Sequence, residues 1–335
     1  MTIKSIIISG GAYLGLCELG CIHTLLKNNI INLTDIESFY ATSVGAIISI
    51  IISLKLDWEL VYDYFVFRPW YKLIDTNIEK ILNIFNTKGL IEEEFFISLL
   101  KPLFDYKEID IDITLKKFEE IVGYKFNIFT CCFNNFDLIN INSNNYPDIK
   151  LIKAINMTCC IPALFKPVEY NNNLYIDGGL IQGYPLIQSL NNYEKDEIFG
   201  IRFNFSNNKN KNSEETNLLL EEMNLVEFIF RIISKMGRYI SKDTYPIIKN
   251  EIVIEYSDIN YQDLEKCLNT QEKRIELIQL GINKTNDYIN SLKQLDLNQQ
   301  QEDSCLNQSL KIQDLHLQDS QVQVSHDQDY FEVEF

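Results

Sequence analysis

Apolar runs and glycine turns alternate at the start of the chain. Residues Ile3–Ser9 form a β-rich apolar run that ends in two glycines, and Leu14–Lys27 then carries leucine and isoleucine at helical spacing. The pattern returns as a strand at Ile36–Ala41 and a helix at Gly45–Leu54 that is apolar on all sides. Two successive strand-turn-helix units predict an α/β fold, in which a mostly parallel sheet is flanked by helices.

Further elements follow from the same reading of periodicity and turn residues. Residues 58–118 are rich in aromatic and acidic side chains and predict a helical insertion beside the sheet, with breaks at Arg68-Pro69 and Lys88-Gly89. The later predictions are strands at Tyr124–Phe133, Phe136–Ile141, Glu197–Phe205 and Glu251–Tyr256, a hairpin at Pro167–Asp177, and helices at Ile149–Thr158, Glu214–Met236 and Asp263–Leu295.

These elements predict three parts of the chain. Residues 1–205 form an α/β core, and residues 206–295 form a mainly helical extension packed on it. Residues 296–335 hold nine acidic residues against the single basic Lys311, are rich in glutamine, and have no sustained apolar period. That composition predicts a disordered tail.

Charge and targeting signals narrow the classes of function. The formal net charge of -17 argues against a nucleic-acid partner, because the phosphate backbone favours clustered Lys and Arg. The amino terminus lacks the apolar region of a signal peptide, and the longest apolar stretch, Val44–Leu54, is too short to span a bilayer. Adjacent cysteine pairs are more typical of reduced thiols than of a disulfide framework. We therefore expect a cytoplasmic protein with neither a signal peptide nor a transmembrane helix.

The first candidate for chemistry is a serine at a strand-to-helix turn. Ala41-Thr42-Ser43-Val44-Gly45 matches the G-x-S-x-G nucleophile elbow, with alanine in place of the first glycine. Small residues on both sides let the backbone turn sharply, and the helix that follows directs its positive end toward a developing anion. The pentapeptide alone is equally compatible with Ser43 as a simple helix N-cap.

A glycine-rich loop is the second candidate. Gly10, Gly11, Ala12 and Gly15 follow the first strand and precede the first helix, where main-chain N–H groups can bind an anion. A phosphate loop is the main rival, but Leu16 stands where the Walker A pattern needs lysine. A dinucleotide loop would need glycine where Ala12 stands. An oxyanion hole therefore fits this loop best, and a nucleotide-binding protein is the weaker alternative.

A serine nucleophile needs a base, and histidine is scarce. Of the three histidines, His23 lies within the first predicted helix, and His316 and His326 lie in the acidic tail. A Ser-His-Asp triad is therefore poorly supported. A buried carboxylate with a raised pKa can serve instead, and Asp177 follows an apolar strand and precedes two glycines.

The turn at Asp177-Gly178-Gly179 has two interpretations. The two glycines would let the aspartate approach another loop closely. Asp-Gly is also a common hairpin dipeptide, and the sequence of this turn alone favours that simpler interpretation.

The three segments in this order resemble the patatin-like phospholipase family. Its glycine-rich loop, serine elbow and Asp-Gly-Gly turn match Gly10 to Gly15, Ala41 to Gly45 and Asp177 to Gly179, and Ala154–Pro167 is similar to the segment before its aspartate. The resemblance covers roughly residues 3–205. It implies a three-layer α/β fold, a Ser43-Asp177 dyad, an oxyanion held by amides near Gly11 and Ala12, and no metal or cofactor.

The resemblance also implies the partners. Its substrate would be a phospholipid or another acyl lipid, and Tyr64–Tyr71, with Phe65, Phe67, Arg68 and Trp70, is a candidate surface for peripheral contact with a membrane. An aromatic core is the other interpretation of this run.

Departures from the family pattern keep a second function open. Ala12 replaces a family glycine, Leu14 replaces a basic residue, and Ala41 replaces the first elbow glycine. A catalytically impaired module that binds lipid or a protein partner is the alternative. The sequence gives no indication of an oligomeric state.

Overall fold

The computed structural model describes residues 2–74, 86–205, 245–257 and 259–294, together with six isolated positions at 228, 231, 232, 235, 297 and 298. Residues Met1–Thr285 cluster into one compact unit and Asn286–Phe335 into another. In the second unit, residues 286–294 are helical. The helix predicted at Glu214–Met236 lies almost wholly outside the described residues, as does the predicted tail.

A mostly parallel β-sheet forms the centre of the first unit. Its strands are β1 (Ser5–Ile8), β2 (Ser38–Thr42), β4 (Lys125–Cys132), β5 (Asp137–Ile141), β7 (Val168–Tyr170), β8 (Asn173–Asp177), β9 (Ile198–Phe205) and β10 (Glu251–Tyr256). The order is β10-β9-β1-β2-β4-β8-β7, and β5 also pairs with β4. The five strands from β10 to β4 run parallel, whereas β5, β7 and β8 pair antiparallel. The α/β fold with a mostly parallel sheet is confirmed.

Helices flank this sheet, because the crossover connections between parallel strands must return the chain to the same edge. The helices are α1 (Gly15–Lys27), α2 (Val44–Ser53), α3 (Trp58–Phe67), α4 (Glu94–Tyr106), α5 (Leu115–Val122), α6 (Leu151–Cys159), α7 (Leu186–Leu190) and α8 (Tyr261–Asn269). Helix α2 is buried along its length, as its continuous apolar sequence requires.

Two predicted boundaries differ from the structure. A short parallel pair, β3 (Gly89–Ile91) with β6 (Ala163–Phe165), begins at the predicted Lys88-Gly89 break. The single helix predicted over 263–295 is wrong in its first part, because α8 ends at Asn269 and a second helix starts at residue 271. Thr270 between them is extended, with φ -122° and ψ 139°. Its β-branched side chain has a low helix propensity, so this is a physically reasonable place for the break.

The aromatic run Tyr64–Tyr71 is divided between core and surface. Phe65 and Trp70 are buried, whereas Phe67 and Tyr71 are each more than half exposed. The run therefore contributes both to the interior and to the surface. Separately, none of the helices in the described ranges is long and apolar enough to cross a bilayer.

Strand register brings two distant segments together. Thr42, the last residue of β2, pairs with Phe129 of β4, and Asp177, the last residue of β8, pairs with the adjacent Thr130. The residue after Thr42 is Ser43. Neighbouring strands lie about 4.8 Å apart, so Ser43 and Asp177 reach the same edge of the sheet from either side of β4.

Candidate active site

Ser43 occupies a strained turn between β2 and α2. Its φ of 54° and ψ of -129° are unfavourable for a residue with a side chain, and its hydroxyl makes no N-cap hydrogen bond to α2. The simple N-cap interpretation is therefore wrong. The turn also needs Gly45, because a Cβ there would overlap the Ile8 carbonyl and lie 2.6 Å from the Ser9 carbonyl oxygen. This close approach brings the start of α2 against the carboxyl end of β1.

The Ser43 hydroxyl donates a hydrogen bond of 2.6 Å to Oδ2 of Asp177. Both residues are buried, at 6% and 5% exposed. The other carboxylate oxygen, Oδ1, accepts a 2.7 Å hydrogen bond from the Gly179 N–H. These two bonds fix the carboxylate against the serine, which is the contact that a nucleophile and its base require.

Burial raises the pKa of Asp177 from 3.8 to about 6. The hydrogen bonds from Ser43 and from the Gly179 amide oppose the rise, because they favour the charged carboxylate. A carboxylate with a pKa near 6 is a stronger base than an exposed aspartate and still ionised at neutral pH.

The turn after Asp177 is built for close packing. A Cβ on Gly178 would overlap the Phe129 carbonyl, so β4 and this turn could not approach as they do with any larger residue. The same turn reaches the other two loops, because the Gln182 carbonyl accepts from the Thr42 hydroxyl and the Gly183 carbonyl accepts from the Gly10 N–H. The simple hairpin interpretation of the Asp-Gly dipeptide is therefore wrong, since Gly178–Leu180 forms a 3₁₀ turn.

The glycine-rich loop lies against the serine elbow. A Cβ on Gly10 would lie 3.3 Å from that of Ser43, and one on Gly15 would overlap the Val44 side chain. Within the described part of the chain, the main-chain N–H groups of Gly11 and Ala12 donate no hydrogen bond. Neither amide is thus engaged by another described residue, and Ala12 lines the same cavity as Ser43.

Ala12 adopts a φ of 51°, in the left-handed region that favours glycine. The loop therefore keeps the backbone conformation of a glycine despite its methyl group, at a cost of about 1 kcal/mol. We expect Ala12→Gly to keep the loop geometry and to raise the free energy of unfolding by up to about 1 kcal/mol, less the extra chain entropy of glycine when unfolded. Urea denaturation checks this, and a clear loss of stability would contradict the strain at Ala12.

The other two departures from the family pattern have different structural settings. Ala41 lies within β2, paired with Ile8 and Ile128, and its φ is not positive, so the strand accepts its methyl group. Leu14 is fully buried beneath the loop. The loop therefore has no cation at that position.

Thr158 of α6 is a site residue that sequence reasoning missed. Its hydroxyl accepts a 2.8 Å hydrogen bond from the Ser43 N–H and donates to the Phe129 carbonyl. The Ser43 amide is therefore engaged and cannot bind an anion, whereas the Val44 amide, at the start of α2, donates no bond among the described residues. Thr158 lies inside the Ala154–Pro167 segment, whose similarity to the family was visible in the sequence. That similarity did not indicate a role for Thr158.

A cavity of about 180 Å³ opens beside Ser43. Aliphatic and aromatic side chains from the first unit form nearly all of its wall, including Ile47, Phe95 and Leu164. Cys159 lies in this wall close to Ser43, and burial raises the pKa of its thiol well above the usual range. The thiol is therefore neutral, and the site combines a polar pair with an apolar chamber.

The histidines do not reach this site where they are described. His23 stacks on Trp58 and its Nδ1 lies 2.6 Å from the Tyr62 hydroxyl. His316 and His326 lie outside the described residues.

Comparisons with known proteins place the chain in a family. The patatin-like phospholipase profile matches residues 6–190, more than half of the chain. The chain therefore belongs to the patatin-like phospholipase family, and the resemblance predicted from the three motifs is confirmed.

Similar proteins occur in two viruses. A protein of Invertebrate iridescent virus 6 named as a probable lipid hydrolase is 30% identical over 191 residues, which cover 55% of this chain and 62% of that protein. An uncharacterized protein of Acanthamoeba polyphaga mimivirus is 24% identical over 82% of this chain and 90% of its own length. The chain thus matches less than two thirds of the length of the first of these relatives.

The fold also resembles a solved structure. VipD from Legionella pneumophila superimposes with a TM-score of 0.51 over 87% of this chain and 67% of its own, at 14% sequence identity. This likeness supports the three-layer architecture of a central sheet between helices.

Proposed function

We propose that the protein is a lipid acyl-ester hydrolase that uses a Ser43-Asp177 dyad. The observation that carries the proposal is the 2.6 Å hydrogen bond from the Ser43 hydroxyl to a buried carboxylate. Membership of the patatin-like phospholipase family and the similarity to a probable viral lipid hydrolase support the same chemistry. The apolar cavity beside Ser43 suits the acyl chain of such a substrate.

In the first half of the reaction, the Ser43 oxygen attacks the ester carbonyl carbon while Asp177 accepts its proton. The amides of Gly11 and Ala12 donate to the oxyanion that forms, and the positive end of α2 adds to this stabilisation. The tetrahedral intermediate then expels the alcohol, which takes the proton from Asp177. An acyl-Ser43 ester remains.

In the second half, Asp177 removes a proton from water, and the resulting hydroxide attacks the acyl-Ser43 carbonyl. The same amides hold the second oxyanion. Ser43 leaves with the proton from Asp177, and the fatty acid is released. Each proton that Asp177 accepts is returned within the same half-reaction, so both members of the dyad are regenerated at the end of the cycle.

The substrate proposed is a phospholipid, a lysophospholipid or another acyl lipid, met by peripheral contact with a membrane or as dispersed lipid. A catalytically impaired lipid-binding or protein-binding module is the second candidate. The observation that favours it is the buried Leu14, which leaves the glycine-rich loop without a basic side chain.

A serine-directed phosphonate probe with a long alkyl chain tests the proposal. We expect the probe to label Ser43, as identified by mass spectrometry of the modified peptide, and to block hydrolysis in a panel of phospholipids and neutral acyl lipids. Labelling of a different residue would remove Ser43 as the nucleophile. Folded protein that neither reacts with the probe nor hydrolyses any member of the panel would favour the binding module.

A further inference from the structure

One wall of the cavity comes from outside the family-matched residues 6–190. Leu264, Cys267 and Leu268 of α8 line the same cavity as Ser43. Cys267 and Leu268 follow Leu264 by three and four residues, so all three lie on the face of α8 that lines the cavity. The opposite face carries exposed polar residues such as Glu265 and Lys266. The carboxyl-terminal part of the first unit therefore completes the wall of this cavity.

Arg274 fixes the end of this wall. Arg274 is 3% exposed, and all three of its guanidinium nitrogens donate to main-chain carbonyls. Nε and Nη2 bond the Val66 oxygen at 2.9 and 2.7 Å, and Nη1 bonds the Cys267 oxygen at 2.6 Å. Carbonyls in the last turn of a helix lack helical partners and attract cations, so one side chain joins the ends of α3 and α8.

The start of α8 is tied to the glycine-rich loop. The Asn260 N–H donates a 3.3 Å hydrogen bond to the Tyr13 hydroxyl, and the Asn260 side chain caps α8 by accepting from the Asp263 N–H at 2.8 Å. Tyr13 itself lies in the cavity wall next to Ala12. Both ends of α8 are thus held by specific hydrogen bonds. The wall therefore has a defined position against a chain bound at Ser43.

We propose that α8 is the acyl-selecting wall of the site, with Leu264 and Leu268 as specificity-determining residues and Arg274 as the positioning residue. This inference rests on the proposed function and names its substrate class: esters of aliphatic acids long enough to extend from Ser43 to α8. Among the described lining residues only Arg274 is charged, and its nitrogens are engaged by carbonyls. The chamber therefore favours an unsubstituted hydrocarbon chain over one that carries polar groups.

The first test compares short and long nitrophenyl esters. Leu268→Phe adds bulk to the wall, so we expect kcat/KM for the dodecanoate ester to fall about tenfold while that for the butyrate ester stays within about twofold. Retained butyrate turnover reports a folded site. Leu264→Phe, one helical turn away, is the second variant, and Glu265→Ala, on the exposed face of α8, is the matched control. Equal changes in kcat/KM for both esters, or no change in kcat/KM for the dodecanoate ester in either variant, would contradict the proposal that α8 selects the acyl chain.

The second test measures binding without catalysis. The protein has two tryptophans, and one of them, Trp70, lines the cavity. The fluorescence of Trp70 therefore reports the binding of an acyl chain in the cavity. In protein carrying Ser43→Ala, we expect dodecanoate to bind and Leu268→Phe to raise its Kd about tenfold. If Leu268→Phe weakens dodecanoate binding but the wild type hydrolyses no ester, the proposed function is wrong and the assignment of α8 as the acyl-selecting wall stands. If the wild type hydrolyses esters but Leu268→Phe leaves the dodecanoate affinity unchanged, only the assignment of α8 as the acyl-selecting wall is wrong.

Discussion

Ser43→Ala is expected to abolish ester hydrolysis, lowering kcat/KM by about 10⁴-fold or more. The variant loses the oxygen that forms the acyl intermediate and leaves Asp177 with no hydroxyl to deprotonate. The nearby Cys159 thiol cannot take over, because burial raises its pKa well above the usual range and keeps it neutral. Initial rates on a dispersed phospholipid and on a short-chain ester measure the loss.

Ser53→Ala is the matched control for this variant. Ser53 is a buried serine of α2 whose hydroxyl donates to a helical carbonyl, that of Ile50, at 2.7 Å. It lies at the far end of the helix from the elbow, so its removal should change kcat/KM by no more than about twofold. Circular dichroism and urea denaturation of both variants test whether each is folded. Substantial hydrolysis by folded Ser43→Ala would end the dyad mechanism.

The fold could be predicted from sequence where period and turn chemistry agreed. The β1 and β2 units were predicted correctly because each combines an apolar strand, a sharp turn and a helix-length segment, which has an apolar stripe in α1 and is apolar on all sides in α2. The pair β3 with β6 escaped prediction, since three-residue strands show no period. The break at Thr270 escaped because the residues on both sides share one helical pattern.

The candidate site divides in the same way. Ser43 and Asp177 carry local motifs, so their candidacy was visible, but the contact between them depends on the register of β4 with both β2 and β8. A periodicity or motif in a single sequence does not define the register between strands that are so far apart along the chain. Thr158 and Arg274 carry no motif at all, because their roles consist of hydrogen bonds to main-chain atoms of other elements.

Asp177→Asn should remove hydrolysis together with its pH dependence. In the wild type, kcat/KM is expected to fall as the pH is lowered through about 6, because protonated Asp177 cannot accept the Ser43 proton. An amide is no base at any pH, so the variant should lose about 10³-fold or more above pH 7. The measurement is a pH profile of kcat/KM on a neutral ester whose own ionisation does not change.

The same substitution should stabilise the fold at alkaline pH. The folded-state pKa of Asp177 lies above its unfolded value of 3.8, so the folded protein binds this proton more tightly. The resulting stability is fully present below the unfolded pKa and is lost as the pH rises through about 6. At pH 8 the wild type must therefore bury a charge that the neutral amide of the variant lacks, and Asp177→Asn should unfold with a free energy about 2–3 kcal/mol larger.

The gap in unfolding free energy should narrow as the pH is lowered from 8 toward 5, where folded wild-type Asp177 regains its proton. Asp196→Asn, at an exposed position, is the control and should change the free energy of unfolding little at either pH. Urea denaturation at the two pH values gives the comparison. A gap that widened on acidification would mean that the buried carboxylate is stabilised as an anion. Asp177 would then be a structural hydrogen-bond acceptor for Ser43 with too little basicity to deprotonate it.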